Sequence, residues 1–356
     1  MIRTLTALCL LLSSGFHCNA QLDISRIDSI VQKSVTTDLF EGTVLIADRG
    51  NIIYHESFGF KVDESSAAIT NATHFSIASV TKLFTAIATM QLIEEGKFLL
   101  TDNLETLIPE LDLPKEEQIT VRHLLLHISG LPNENDAIYG QLKSPAAFVS
   151  ETLTQKGSSF GSFNYANIDY VLLGLLIEKF DKTSWESSTK NRVLDKLDMQ
   201  NSGFLKKDAY PEDFAYSHSY DAKGKRQKDP LFFIENFYAA GCMFATAEDL
   251  LKLDQGMHGN QLLSEKSKEQ MFKSYPEYNY SGYSVWTYKY PFSEAQPTIM
   301  ERRGGILGAN SVLIRMLDTN KTIIILSNND KFNPDSFGNK ESLKEALMIE
   351  LTKIRG

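Results

Sequence analysis

Ser79 and Lys82 stand three residues apart in Ser79-Val80-Thr81-Lys82, at the entrance to a long apolar run that ends at Gly96. A serine hydroxyl is a weak nucleophile until a base takes its proton, and an amine can be that base once burial or nearby cations lower its pKa. Residues i and i+3 of a helix share a face, so this spacing lets hydroxyl and amine touch. A helix start also presents unpaired N–H groups and a positive dipole end, which favour the oxyanion formed when a serine attacks a carbonyl. The same pattern recurs at Ser187-Ser188-Thr189-Lys190, in a polar stretch that reads as surface. Taken alone, Ser79 and Lys82 read equally well as a helix-capping serine and a snorkelling lysine.

Two further groups give the pair meaning. Tyr165-x-Asn167 lies in a loop leading into the apolar helix expected from Tyr170 to Phe180, and it is the only such spacing in the chain. A loop tyrosine is usually a packing residue, but a phenol near cations loses its proton more easily and can serve as general acid or base. Arg302-Arg303-Gly304-Gly305-Ile306-Leu307-Gly308 follows an expected strand, Pro297 to Arg302. Its glycines allow close approach to the backbone, and their N–H groups could supply a second oxyanion donor. Otherwise it is a glycine-rich strand end with solvated arginines. Neighbouring side chains on a strand face opposite ways, so only one of Arg302 and Arg303 enters a cleft.

The elements that must position these residues follow from hydrophobic spacing. A helix is expected over Asp23 to Phe40, then a hairpin of Gly42 to Ala47 and Asn51 to Phe60 turning at Asp48-Arg49-Gly50-Asn51. From Ser79 to Ser274 the chain reads as mostly helical, with loops at 109–119, 129–136, 157–167 and 202–230. Strands return at 284–290, 297–302, 311–317 and 321–327, and a helix over Asn339 to Ile354 closes the chain. This order is that of an α+β architecture, an antiparallel sheet from about 21–75 and 280–356 with a mainly helical part, about 76–279, inserted between.

The first twenty residues read as a secretory signal: Arg3, the apolar run Leu5 to Leu12, then Cys18-Asn19-Ala20 with cleavage after Ala20. Lipid attachment at Cys18 is the less favoured reading, because His17 stands where a small residue is expected. The expected location is therefore secreted or periplasmic, without a membrane span. The mature chain would carry a net charge of −10, which argues against nucleic acid as partner, and Cys242 as its sole cysteine, which excludes an internal disulfide. No metal motif, phosphate loop or dinucleotide fingerprint occurs, so no cofactor is expected.

Together, Ser79-x-x-Lys82, Tyr165-x-Asn167 and the Arg302 to Gly308 segment resemble the serine β-lactamase and penicillin-binding protein superfamily, closest to its class C β-lactamase-like group. The segments Val121 to Pro132 and Ala240 to Leu250 look like landmarks of the same family. The resemblance implies an antiparallel sheet with helices on both faces, a helical domain, and a cleft between them. It implies Ser79 as nucleophile, Lys82 as its activating partner, Tyr165 as acid/base and Asn167 as a partner of substrate or Lys82. It places the oxyanion hole at the backbone N–H groups of Ser79 and Gly305, beside Gly304. The activities it covers are β-lactamase, carboxylesterase, D-aminopeptidase, DD-peptidase and acyl transfer on small-molecule or peptide substrates.

The third motif departs from the family, where Lys or His stands at position 302. Arginine keeps its proton and can grip a carboxylate with two parallel hydrogen bonds, which suggests a substrate bearing an acidic group and weakens the case for efficient β-lactam hydrolysis. Ala309 replaces a common bulky aromatic and suggests a wider cleft at that end. No deacylating glutamate can be assigned, so Tyr165 carries more of the chemistry. The competing function is a non-catalytic protein that keeps the cleft for binding, against which stands the intact Ser79, Lys82 and Tyr165 set.

Overall fold

The computed structural model describes residues 22–63, 66–113 and 118–353, so the expected signal at 1–20 lies outside the described residues. Six strands form one antiparallel sheet: β1 (Gly42–Asp48), β2 (Asn51–Phe58), β3 (Trp286–Lys289), β4 (Thr298–Ile306), β5 (Ala309–Met316) and β6 (Lys321–Ser327). Their order is β2-β1-β6-β5-β4-β3, which places the two chain ends side by side, with Gly42 opposite Ser327 and Asp48 opposite Lys321. Arg49 and Gly50 both have positive φ, 49° and 81°, as a two-residue hairpin loop requires.

The sheet is buried on both faces, and its alternation shows it. Val44, Ile46, Val312, Ile314, Ile323 and Ile325 join Ile27 and Val31 of helix α1 (Ile24–Thr37) and Leu347 and Met348 of helix α5 (Leu343–Leu351) in one core. Leu45, Leu313, Ile324 and Leu326 face the other way, into a larger core shared with the helical part. That core includes α2 (Thr81–Glu94), α3 (Asn167–Asp181) and α4 (Ala247–His258). Helix α2 is buried at every position from Thr81 to Leu92, and Gly96, with φ 69°, lies just past its end.

Several boundaries differ from the sequence reading. The strand expected to end at Arg302 runs to Ile306, because Gly304 and Gly305 stay in the ladder opposite Ser311 and Asn310. The 202–230 loop holds the short strands Gly203–Phe204, His218–Tyr220 and Arg226–Lys228. The closing helix starts at Leu343, and Ile354 lies outside the described residues. In the second Ser-x-x-Lys pattern Ser187 and Lys190 are exposed, as expected, but Ser188 and Thr189 lie on the buried face of a short helix at Trp185–Thr189. Among the described residues no helix is long and apolar enough to cross a membrane.

Candidate active site

A single 3-10 turn, Ala78–Val80, delivers Ser79 to the start of α2. Ala78 has φ 46°, left-handed backbone that costs a non-glycine residue about 1–2 kcal/mol, and this bend leaves Ser79 half-buried at the tip. One turn on, Lys82 is fully buried. Its Nζ donates to Ser79 Oγ at 3.0 Å, Asn167 Oδ1 at 2.7 Å and the Ala240 carbonyl at 2.7 Å. Burial, and then the charge of Arg302, bring Lys82 down to about 8 against the pull of Tyr165 and Glu134. At that value a useful fraction of the amine is free to take a proton.

Tyr165 sits over Lys82, with Nζ 4.9 Å from its ring centroid. Burial alone would raise its phenol; the charges of Arg302 and Lys82 reverse this, and the phenol stands at about 8. Arg302 is the arginine that enters the cleft. It is 1% exposed, Nε donating to the Ser79 carbonyl and Nη2 to Tyr165 OH, both at 2.8 Å. Arg303 turns to the opposite face, where it pairs with Asp335 and lies 4.3 Å over the Trp286 ring. Two of its five N–H groups are committed to the Ser79 carbonyl and the Tyr165 hydroxyl, which fixes its charge beside both.

The β4 edge completes the cleft. β3 pairs with β4 only from Thr298 to Glu301, and beyond that the free edge of β4 lies along the Ser79 turn. A Cβ on Gly304 would come within 2.4 Å of the Ile77 carbonyl and 3.0 Å of Ser79 N, so only glycine lets the strand this close. Gly305 follows and is exposed. Ala309 is buried and lines a small cavity with Ile306 and Phe232, around which Tyr210, Phe214 and Tyr216 pack.

Glu134 was not foreseen. Its Oε1 accepts from Asn167 Nδ2 at 2.7 Å and from Tyr139 OH at 2.5 Å, which fixes Asn167 with its carbonyl toward Lys82. Nor was the Ala240 carbonyl, which follows Tyr238 at φ 43°. Both lie in or beside segments marked as landmarks, but a carbonyl has no sequence signature. No group of three or more His, Cys, Asp and Glu able to hold a metal occurs among the described residues.

A family model described as Beta-lactamase matches residues 27–348. The chain belongs to the β-lactamase family. It is 27% identical over 317 residues to penicillin-binding protein 4* of Bacillus subtilis, covering 82% of this chain and 69% of that protein. It is also 27% identical over 316 residues to a teichoic acid D-alanine hydrolase of Staphylococcus aureus, covering 86% and 74%. Among solved structures, the octameric penicillin-binding protein homologue from Pyrococcus abyssi superposes with a TM-score of 0.80 at 24% identity, covering 93% of this chain and 78% of that one. D-amino acid amidase from Ochrobactrum anthropi SV3 shares the same fold, with a TM-score of 0.78 at 21% identity over 92% and 96%. The sheet between two helical layers is thus the β-lactamase family fold, and the chain is a serine hydrolase of that family.

Proposed function

We propose that the protein is an exported hydrolase or acyltransferase that forms an acyl-enzyme on Ser79 from an ester, amide or peptide. The observation that carries this is Lys82 Nζ at 3.0 Å from Ser79 Oγ, with amine and phenol both held at about 8. Neutral Lys82 takes the Ser79 proton as Oγ attacks the carbonyl. The oxyanion is received by the N–H groups of Ser79 and Gly305. The proton passes through Lys82 and Tyr165 to the leaving oxygen or nitrogen, and the ester on Ser79 remains. In the second half Tyr165, as phenolate, draws a proton from water or another acceptor that attacks the ester and restores Ser79.

D-alanyl esters are the first substrates to test, on the likeness to the teichoic acid D-alanine hydrolase over most of the chain. Export rests on Arg3, the Leu5 to Leu12 run and the small residues before Gln21. The test is covalent labelling with a fluorophosphonate and with a penicillin probe, read by intact mass, with Ser79→Ala as control. A single adduct on the wild type and none on Ser79→Ala is expected. No adduct with either probe would leave the cleft as a binding site without chemistry.

A further inference from the structure

Behind Tyr165 lies a buried polar cluster that the acyl-transfer steps leave unused. His127, Ser129 and Asp169 are all at most 2% exposed. His127 has left-handed backbone, φ 57°, and its carbonyl accepts the N–H of Asn164 at 2.8 Å. Its Nδ1 accepts the N–H of Ala166 at 3.3 Å, and its ring packs on the phenol with centroids 4.4 Å apart. One residue thus holds both chain neighbours of Tyr165 and backs its ring. Asn133 Nδ2 adds a bond to the Tyr165 carbonyl at 2.9 Å.

The protons in this cluster follow from the lone pairs. A ring nitrogen that accepts a hydrogen bond carries no proton of its own, so the Ala166 contact assigns the His127 proton to Nε2, which is buried with no partner among the described residues. Asp169 Oδ2 lies 2.9 Å from that same Nδ1. Two bare acceptors at this distance would repel, so the proton between them is assigned to Asp169, whose O–H shares the single Nδ1 lone pair with the longer Ala166 contact. Ser129 Oγ donates to Asp169 Oδ1 at 2.5 Å and accepts the N–H of Leu131 at 3.1 Å. Burial holds Asp169 well above the usual carboxylate range. Burial, with the charges of Lys82 and Arg302, holds His127 well below the usual imidazole range, in keeping with a neutral pair.

We propose that His127 is a positioning residue for Tyr165, held in place by Asp169 acting as a neutral carboxylic acid that donates to Nδ1. The inference rests on Tyr165 being the acid/base of the acyl-transfer site. The pair has the composition of the His–Asp arm of a hydrolytic triad but the opposite polarity, because in a triad an ionised Asp accepts from Nδ1–H. Opposite polarity gives opposite mutational behaviour. Asn at 169 still offers an N–H to Nδ1 and a carbonyl to Ser129, whereas the same change in a triad costs about 10⁴ in kcat.

The experiment compares His127→Ala, Asp169→Ala and Asp169→Asn in the full chain by ester hydrolysis and by ultraviolet titration of the Tyr165 phenolate, identified by its loss in Tyr165→Phe. Both Ala variants are expected to lose about 10²-fold in kcat with much smaller change in KM, and to move the phenolate step away from its wild-type pH. Asp169→Asn is expected to restore both. A Asp169→Asn variant as impaired as Asp169→Ala, or Ala variants with wild-type kcat and titration, would overturn the proposal. Should the Ala variants not fold, Asp169→Asn decides alone. Nitrogen NMR of His127 reads the tautomer without reference to activity: a protonated Nε2 is expected, and a protonated Nδ1 rejects the assignment even if Ser79 labels normally. Failure of wild-type Ser79 to label would instead sink the acyl-transfer reading.

Discussion

At the scale of single residues, one fixed charge prepares two proton carriers. Burial lowers Lys82 and raises Tyr165, Arg302 lowers both, and each stands at about 8. Together they titrate as a pair, and the first proton to leave frees a base beside Ser79 whichever residue gives it up. The profile of kcat/KM is therefore expected to rise with pH through a limb near 8. Arg302→Gln removes a charge that lowers both groups, so both rise and the limb moves to higher pH. Each unit of movement costs about tenfold in rate at neutral pH. Arg302→Lys keeps the charge and is expected to keep the limb nearer its wild-type place, although it loses the fork that reaches Ser79 and Tyr165 together. pH–rate profiles of the three proteins on one ester decide it, and an unmoved limb in Arg302→Gln would remove Arg302 from this role.

At the scale of elements, the proposed acyl transfer would depend on how closely the β4 edge approaches the Ser79 turn. A Cβ on Gly304 would meet the Ile77 carbonyl at 2.4 Å and Ser311 Oγ at 2.5 Å, whereas on Gly305 it would meet only Asn310 Oδ1 at 3.1 Å. Gly304→Ala is thus expected to push the strand outward and slow fluorophosphonate labelling of Ser79 by about 10²-fold, with Gly305→Ala much milder. Equal rates for the two would mean that the contact is not limiting. The same edge shows what was legible beforehand. The apolar run after Lys82 announced α2, and the short apolar runs beside turn signals announced β1 and β6, since these elements are long or punctuated enough to be read locally. Glycines at 304 and 305 read as the end of β4 because their ladder partners, Ser311 and Asn310, come from the next strand. Ser79, Lys82 and Tyr165 were legible by type and spacing. Glu134, the Ala240 carbonyl and the orientation of Asn167 were not, because each acts through a contact that only folding creates.

At the scale of the molecule, the β4 edge is held where the sheet meets the helical part, and a buried ion pair spans that junction away from the candidate site. Asp254 of α4 accepts from Arg315 Nη1 of β5 at 2.6 Å and from Thr322 Oγ1 of β6 at 2.7 Å, and both charged residues are buried. Removing one partner leaves an uncompensated buried charge, so Arg315→Met is expected to cost about 3–5 kcal/mol, while Asp254→Leu with Arg315→Met recovers most of that loss. Burial already raises the Asp254 carboxyl in the native protein, and Arg315 opposes this; without Arg315 it rises further. The folded variant then binds a proton that the unfolded chain has released, so its stability falls as pH rises above the ordinary carboxylate range. Urea midpoints at constant slope, measured from weakly acidic to weakly basic pH, should show the deficit of Arg315→Met widening while the double variant stays level. A deficit independent of pH would mean that the loss comes from packing and not from the stranded charge.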